Sequence, residues 1–372
     1  MVVEVVTVSD QLRDGYDVVV VGGGAAGLSG ALMLARARRS VVALDAGAPR
    51  NAPAAGVHGL LARDGMRPAE LLERGRAEVR RYGGQVVAGE VATAVRDAEG
   101  FTVALADGRS VQARRLLVAT GLVDELPEVP GLRARWGRDV VHCPYCHGWE
   151  VRDQAIGVLA TGPRAVHQAL LFRQLSADVT YFNHTTPPTE EEAEQLAARG
   201  IRVVDGEVAS LEIAEDRLGG VRLTDGAVVG REVLAVSPRM VARAGFLAAL
   251  GLRAAEHPSG LGEHIPADPA GRTDAPGVWV AGNVTDLAAQ VGAAAAAGAA
   301  AAAQINADLV AEETRQAVAA YRDGPHPGPG RDDRRGGGGP SGPLPGGQAR
   351  TPSGAGVATA GTGTGSTGRT AP

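Results

Sequence analysis

The sequence predicts an α/β fold in which helices cover parallel sheets. Short runs rich in β-branched residues alternate with stretches of helical pattern, which is typical of such folds. Two of these runs lead directly into a tight glycine turn and a helix, over residues 18–36 and 156–175. With 372 residues, of which 44% are hydrophobic, the chain can bury two cores of ordinary size. The predicted strands are 17–21, 40–45, 116–120, 155–160, 178–182 and 278–281.

The order of these patterns predicts that one domain is inserted into another. The pattern of the first unit returns after the second unit has ended, so we expect a first domain in two parts, 14–122 and 239–323, and a second domain at 123–238. From residue 324 onward Gly, Pro, Ser and Thr dominate, and large apolar residues are nearly absent. Such a segment cannot bury enough surface to offset its ordering entropy, so we expect 324–372 to be a disordered tail.

Charge and apolar patterning exclude several classes of function. The net charge is −5, from 37 basic and 42 acidic residues that are mixed along the chain, so no long-range field attracts nucleic acid or an anionic membrane. Residues 1–14 lack the basic-then-apolar order of a secretory signal, and no uninterrupted apolar run is long enough to span a bilayer. We therefore expect a cytoplasmic protein with no nucleic-acid or membrane partner.

The first glycine turn has the residues of a dinucleotide-binding site. A buried strand runs into Gly-Gly-Gly-Ala-Ala-Gly at 22–27 and then into a helix rich in Ala and Leu. Gly22 permits the tight turn, Gly24 lets the backbone approach a pyrophosphate, and Gly27 lets the helix pack closely on the strand. Asp45 ends the next strand, where a carboxylate can accept both hydroxyls of a ribose. An unphosphorylated ribose, as in FAD or NAD, is therefore the predicted ligand.

The two cysteines of the sequence, Cys143 and Cys146, lie three residues apart at the predicted start of a helix. At this spacing the thiols can form a small disulfide, and the helix start favours a thiolate. The adjacent His142 and His147 suggest zinc as an alternative, but a zinc site needs four ligands and the sequence contains no second CxxC motif. We therefore predict a redox pair and no metal, with an inert pair as the remaining alternative.

Together these motifs resemble the flavoprotein disulfide reductases with two dinucleotide domains, and among them the low-molecular-weight thioredoxin reductases. The resemblance rests on the first glycine turn, the strand 116–121, the block 276–283, Pro-Arg-Asn at 49–51 and Asp-Gly at 64–65, and it covers about 16–322. It implies a homodimer with FAD as cofactor and two Rossmann-like dinucleotide-binding domains: an FAD domain and an inserted NAD(P)-like domain that carries the cysteine pair. The implied cofactor-binding residues are Gly22, Gly24, Ala25, Ala26, Gly27, Asp45, Ala46, Asn51, Thr120, Gly121, Gly282, Asn283 and Gln290.

The resemblance also implies roles for single side chains. Cys146 is expected to face the flavin as the charge-transfer thiolate, and Cys143 to exchange with the substrate. Asn283 stands where the family has an acidic residue on the ribityl chain, and its amide can still hydrogen-bond a hydroxyl. His147 stands where thioredoxin reductases have an acidic residue, and an imidazole there can take a proton from an incoming thiol and return it. His142 is the competing candidate for this role.

The second glycine turn departs from a nucleotide-binding pattern. Residues 160–165 read Ala-Thr-Gly-Pro-Arg-Ala, so the first glycine is replaced, and Pro163 removes an N–H that would face a phosphate. Asn-His-Thr at 183–185 stands where thioredoxin reductases carry the basic cluster for a 2′-phosphate, so the arginine contacts to that phosphate are absent. Arg164 and Arg173 are candidate substitutes, which leaves weak nicotinamide binding open. We expect a domain that keeps its fold without the nucleotide.

An intact FAD site, a CxxC motif followed by histidine and a degraded nicotinamide site resemble the dithiol oxidase branch of thioredoxin-reductase-like enzymes. We expect an FAD-dependent thiol–disulfide oxidoreductase that oxidises a small dithiol to a disulfide, with O2 as final acceptor and H2O2 as product. The alternatives are an NAD(P)H-dependent disulfide reductase of thioredoxin reductase type and a flavin-binding redox sensor without turnover. The substrate pocket is expected to include residues 57–59 and the region around Trp149.

Overall fold

The computed structural model describes residues 11–323; the predicted tail, 324–372, lies outside the described residues. The strands are β1 (Gly15–Val21), β2 (Val41–Asp45), β3 (Gln85–Ala88), β4 (Val91–Arg96), β5 (Phe101–Leu105), β6 (Ser110–Val118), β7 (Leu122–Glu125), β8 (Val140–Val141), β9 (Ile156–Leu159), β10 (Val179–Phe182), β11 (Arg202–Val204), β12 (Val208–Ala214), β13 (Arg217–Leu223), β14 (Val228–Val229), β15 (Val233–Val236), β16 (Arg239–Ala242), β17 (Ala255–Glu256), β18 (Glu263–His264) and β19 (Val278–Val280). The α-helices are α1 (Ala25–Arg36), α2 (Pro68–Arg81), α3 (Leu132–Arg135), α4 (Pro144–His147), α5 (Ala165–Phe172), α6 (Glu190–Ala198) and α7 (Val291–Asp323). Two 3-10 helices span Gly245–Leu250 and Gly282–Val284.

The first sheet has seven strands and carries the first glycine turn. Its strand order is β3-β2-β1-β6-β5-β4, with β19 paired to the last part of β6. The pairs among β1, β2, β3, β6 and β19 are parallel, whereas β4 and β5 are antiparallel. Val18, Val19 and Val20 of β1 have no exposed surface, because apolar residues pack on both faces of this central strand. A continuous apolar run is the pattern expected of such a strand.

Strand β6 begins earlier than the sequence predicts. It starts at Ser110, whereas the apolar pattern indicated only 116–120. Arg114 and Arg115 interrupt that pattern, but both are paired with α7: Arg114 contacts Glu312 and Glu313 at 2.8 and 2.7 Å, and Arg115 contacts Asp308 at 2.7 Å. These charges therefore anchor the long C-terminal helix to the sheet.

Helices α1 and α7 pack closely on the first sheet. A Cβ added to Gly298 would lie 1.9 Å from the carbonyl oxygen of Ala26, so the two helix backbones meet at a position that only glycine permits. Helix α7 continues to Asp323, well beyond the alanine-rich stretch 293–303 that predicted it, because Ile305 and Leu309 extend its buried side. The contact fixes the beginning of α7 beside the glycine turn that precedes α1.

The second sheet has five parallel strands in the order β11-β10-β9-β15-β8. Helix α5 packs on it through Ala165, Val166, Ala169 and Phe172, each at most 4% exposed. A two-stranded antiparallel ribbon, β7 paired with β16, lies where the chain passes between the two sheets, and it pairs Leu122 with Ala242 and Glu125 with Arg239. The predicted α/β fold with Rossmann-like sheets is confirmed, while the domain boundaries stay a prediction.

Within residues 11–323, none of the helices combines the length and the apolarity that crossing a membrane requires.

Candidate active site

A cavity of about 890 Å³ reaches from the first glycine turn to the cysteine turn. Loops of both sheets line it, so it joins parts of the chain that are far apart in sequence. Among the predicted cofactor-binding and catalytic residues, Gly27 alone does not line it; a Cβ there would lie 1.9 Å from the carbonyl oxygen of Gly22, which makes close packing its role. The other predicted residues all line the cavity: Gly22, Gly24, Ala25, Ala26, Asp45, Ala46, Asn51, Thr120, Gly121, Gly282, Asn283, Gln290, Cys143, Cys146 and His147.

The glycine turn leaves room for a phosphate. Gly22 has φ +113°, and a Cβ there would lie 2.3 Å from the carbonyl oxygen of Ala119, so the turn requires glycine. Gly24 is the N-cap of α1, and among the described residues no atom lies within 4 Å of the position that its Cβ would take. No side chain caps this end of α1 in the described structure, so its N–H groups stay available for an anion.

The carboxylate of Asp45 accepts hydrogen bonds from other residues of the chain, which the sequence did not show. Its Oδ2 accepts from Arg76 at 2.8 Å, and its Oδ1 accepts from the N–H of Gly47 at 2.9 Å. Each oxygen of a carboxylate has further acceptor capacity, so both can still receive a ribose hydroxyl. Arg76 lies on α2, 31 residues further along the chain, and no motif in the sequence links it to Asp45.

The amide nitrogen of Asn283 donates hydrogen bonds to the backbone of its own loop. Nδ2 donates to the carbonyl oxygens of Asp286 and Ala289, both at 2.9 Å. A carboxylate at this position would face these carbonyls without a proton to donate, so the uncharged residue suits the loop that leads into α7. The side-chain oxygen is left as the group with which Asn283 can meet a ligand.

Cys143 and Cys146 are free thiols on the one-turn helix α4. Cys143 is its N-cap, and a hydrogen bond from the thiol of Cys146, supported by the N–H groups of Cys146 and Tyr145, lowers the pKa of Cys143 to about 7 against the opposing effect of burial. The same hydrogen bond, together with burial, raises the pKa of Cys146. These opposite shifts favour the thiolate at Cys143 in the reduced pair, which departs from the expectation of a charge-transfer thiolate at Cys146.

Arg50 is an additional part of the site. Its Nε and Nη2 donate to the two carboxylate oxygens of Asp124 at 2.8 and 2.7 Å, and both residues line the cavity. The positive charge of Arg50 also lowers the pKa of Cys143. The motif Pro-Arg-Asn marked this arginine in the sequence, but its partner is 74 residues away and could not be read from it.

The two histidines beside the cysteines have different surroundings. Nδ1 of His142 lies 3.1 Å from the carbonyl oxygen of Val236, whereas both ring nitrogens of His147 are buried and have no hydrogen-bond partner within residues 11–323. Burial lowers the pKa of His147, and the charge of Glu150 partly opposes this shift. A neutral imidazole that still lacks partners suits proton exchange with a ligand in the cavity.

The two segments expected in the substrate pocket each reach the cavity only in part. Val57 and His58 line the cavity, and Nε2 of His58 lies 3.5 Å from Oε1 of Glu150. Trp149 does not line it; its side chain is 67% exposed and stacks on Arg152 at 4.2 Å. Adjacency to the cysteine turn placed Trp149 near the site but could not show that its ring points away.

The second glycine turn is hydrogen-bonded to the segment that follows β10. The N–H and the hydroxyl of Thr185 both donate to the carbonyl oxygen of Ala160, each at 3.3 Å. Arg173 is wrong as a candidate phosphate ligand, because it lies at the far end of α5 and donates to the carbonyls of Arg199 and Ser176 at 2.9 and 3.2 Å. Arg164, the N-cap of α5, is exposed beside the turn.

Comparison with known proteins decides the family. A family model described as pyridine nucleotide-disulphide oxidoreductase matches residues 16–320. The chain belongs to this family. It is similar to thioredoxin reductase tcpT of Claviceps purpurea (strain 20.1), with 32% identity over 279 residues, 72% of this chain and 86% of that protein. The crystal structure of HlmI is 50% identical with a TM-score of 0.79, covering 84% of this chain and 98% of that one. An oxidoreductase from Agrobacterium tumefaciens is 36% identical with a TM-score of 0.75, covering 80% and 99%.

Membership of the pyridine nucleotide-disulphide oxidoreductase family confirms the predicted thioredoxin-reductase-like resemblance and the predicted enzyme class, an oxidoreductase acting on sulfur groups. FAD is the cofactor, as predicted. The residues present fit it: the open position at Gly24 and the N–H groups of α1 suit a pyrophosphate, and the cavity continues from there to the cysteine pair.

Proposed function

We propose that the protein oxidises a small dithiol to a disulfide and uses O2 as the final electron acceptor, so that R(SH)2 and O2 become RS2 and H2O2. The observation that carries the proposal is the second glycine turn, in which Ala160 replaces the first glycine and Pro163 offers no N–H to a phosphate. A turn that has lost a glycine and an N–H donor holds the phosphates of a nicotinamide dinucleotide more weakly. Electrons therefore enter from a thiol substrate.

The cysteine pair performs the exchange, with Cys143, Cys146 and His147 as the proposed catalytic residues. A substrate thiolate attacks Sγ of Cys143 in the oxidised pair, and the Cys143–Cys146 bond breaks. The second substrate thiolate then attacks the substrate sulfur of this mixed disulfide, which releases the product and a Cys143 thiolate. A thiol with a pKa of about 7 is a good leaving group, so the geometry favours this second step.

Protons and electrons balance over the whole reaction. FAD bound in the cavity would supply the two-electron chemistry that links the reduced cysteine pair to O2. Two protons leave the substrate thiols and two are taken up in H2O2, so none accumulates. His147 can hold one of them, since its buried nitrogens have no other partner in the described part of the chain.

His147→Gln is expected to make substrate attack strongly pH dependent. Because burial lowers the pKa of His147 below 6.5, the wild-type base is neutral and active from about pH 6.5 upward. Without it the reaction depends on free substrate thiolate, which is about 3% of a thiol of pKa ~8.5 at pH 7, so we expect a roughly 30-fold loss that nearly disappears at pH 9. Anaerobic stopped-flow mixing with a dithiol measures flavin bleaching from pH 6 to 9.

The matched control is His167→Gln, which replaces an exposed histidine on α5. Equal losses at pH 7 and pH 9 would indicate a merely structural role.

The electron acceptor and donor are tested on the purified flavoprotein. Under air, a panel of small dithiols is expected to cause O2 uptake with one H2O2 formed per disulfide. Under anaerobic conditions, NADPH and NADH are expected to bleach the flavin at least about 100-fold more slowly than an active dithiol, since the turn has lost a glycine and an N–H donor and residues 183–185 lack the basic cluster for a 2′-phosphate. Rapid bleaching by NADPH, with no O2 uptake from any dithiol, refutes the proposal.

The alternative is an NAD(P)H-dependent disulfide reductase of thioredoxin reductase type. Arg164 supports it, because this exposed guanidinium stands at the start of α5 and can reach an incoming phosphate. From the family resemblance we further propose that the protein acts as a homodimer, and from the sequence pattern that it is cytoplasmic.

A further inference from the structure

The turn that carries the cysteines is too short to hold its own shape. Helix α4 has four residues; the N–H groups of Cys146 and His147 donate to the carbonyl oxygen of Cys143 at 3.2 and 3.1 Å, and that of Gly148 donates to Pro144 at 2.9 Å. One helical turn is unstable by itself, because many dihedral angles are fixed for few hydrogen bonds. The orientation of Cys143 therefore depends on contacts from outside the turn.

Gln168 supplies such a contact on the upstream side. It lies on α5, is 5% exposed, and donates through Nε2 to the carbonyl oxygen of His142 at 2.6 Å. A carbonyl only accepts, so the amide nitrogen must face it, and Oε1 is left to accept from the hydroxyl of Ser237 at 3.4 Å. A buried amide with partners at both ends has a defined orientation. Gln168 thereby fixes the residue that precedes Cys143.

Two further contacts hold the same turn against the second sheet. Nδ1 of His142 lies 3.1 Å from the carbonyl oxygen of Val236 at the end of β15, so Nδ1 carries the proton. Downstream, a Cβ added to Gly148 would lie 2.2 Å from Cδ1 of Leu175, which shows how closely the turn packs against the segment after α5. Both ends of the cysteine turn are therefore supported from α5 and its neighbours.

We propose that Gln168 is a positioning residue of the redox site. Through the backbone of His142 it holds Cys143 at the start of α4, where the N–H groups of Tyr145 and Cys146 stabilise the thiolate. This inference rests on the proposed role of Cys143 as the exchanging thiol. It gives the second glycine unit a function that needs no nucleotide, because the helix after its degraded turn supports the cysteine pair.

Alkylation of Cys143 tests the proposal without substrate, oxygen or turnover. Reduced holoenzyme is treated anaerobically with iodoacetamide from pH 5.5 to 9, and modified Cys143 is quantified by peptide mass spectrometry. In Gln168→Met we expect alkylation at pH 7 to be about threefold to tenfold slower and the pH curve to move upward, as the loss of one positioning hydrogen bond implies. The substitution changes none of the ionisable side chains that act on Cys143 or on the neighbouring His142, which are Cys146, His147, Arg50 and Asp124.

The controls separate positioning from folding. Gln174→Met changes an exposed glutamine just beyond α5 and is expected to keep the wild-type curve. Gln168→Asn keeps an amide but is one methylene too short to reach His142, and it should repeat the effect if Gln168→Met does not fold. A wild-type curve in either folded variant overturns the proposal, as does failure of both to fold, which would make Gln168 a residue of the core. Because no dithiol or O2 is involved, a negative result here leaves the dithiol oxidase proposal to its own test.

Discussion

Cys143→Ser is expected to lose at least about 10⁴-fold of the dithiol-dependent rate while the protein keeps its FAD. Removing the group that forms the covalent intermediate eliminates the reaction path, and such losses reach about 10⁶-fold in other enzymes. Serine cannot form a disulfide with Cys146, and its hydroxyl is not ionised at neutral pH. O2 uptake measures the rate, and the flavin absorbance per chain shows that the cofactor stays bound.

The two cysteines can be told apart with Cys146→Ser as the matched variant. It should be equally inactive, but it keeps Cys143, the thiol that the proposal assigns to exchange with the substrate. When it is incubated with an activated disulfide of the substrate, we expect a stable adduct at Cys143, visible as a mass increase on that peptide. Trapping at Cys146 in the Cys143→Ser protein, with none at Cys143 in its counterpart, would reverse the assigned roles.

Gly24→Asp is expected to abolish FAD binding without unfolding the protein. The added side chain meets no atom within 4 Å of its Cβ position in the described structure, and aspartate is a good N-cap for α1. Its charge would face the pyrophosphate; two like charges about 4 Å apart at an effective dielectric constant of about 20 repel by about 4 kcal/mol, or about 10³-fold in affinity. We expect a colourless protein whose far-UV circular dichroism matches that of FAD-depleted wild type.

The second glycine turn offers an internal control for this substitution. Gly162 also has open space around its Cβ position among the residues described. Gly162→Asp places the same charge at the corresponding turn of the second sheet, where our proposal requires no phosphate. We expect unchanged FAD content and dithiol turnover. A selective loss of NADPH-driven flavin reduction in this variant would favour the reductase alternative.

Local signals made much of the fold and part of the candidate site predictable. The strand, the turn and Asp45 follow one another within 30 residues, and the spacing of the glycines indicates the turn even though the atoms that Gly22 meets are distant in sequence. The same holds for the cysteine pair, because three residues of spacing at a helix start determine which way both thiols face. These features needed no knowledge of the tertiary structure.

What the sequence could not show are the contacts between distant side chains. Arg50 with Asp124, Arg76 with Asp45 and Gln168 with the backbone of His142 each depend on how the sheets and helices pack. Wrong expectations have the same origin. Trp149 is close to the site in sequence, but its side chain is exposed. The direction of this side chain depends on where the cysteine turn ends, and the packing of the turn determines that.

The ribbon of β7 and β16 brings the two ends of a long excursion of the chain side by side. Glu125 and Arg239 are direct partners in this antiparallel pair, and neighbouring strands of this kind can be joined by a two-residue hairpin turn. Excising everything between them and closing the gap with Asn-Gly would leave an uninterrupted path through the first sheet. The predicted insertion of one domain into the other would therefore be joined to the first sheet at one place, where the inserted segment and its cysteine turn can be exchanged together.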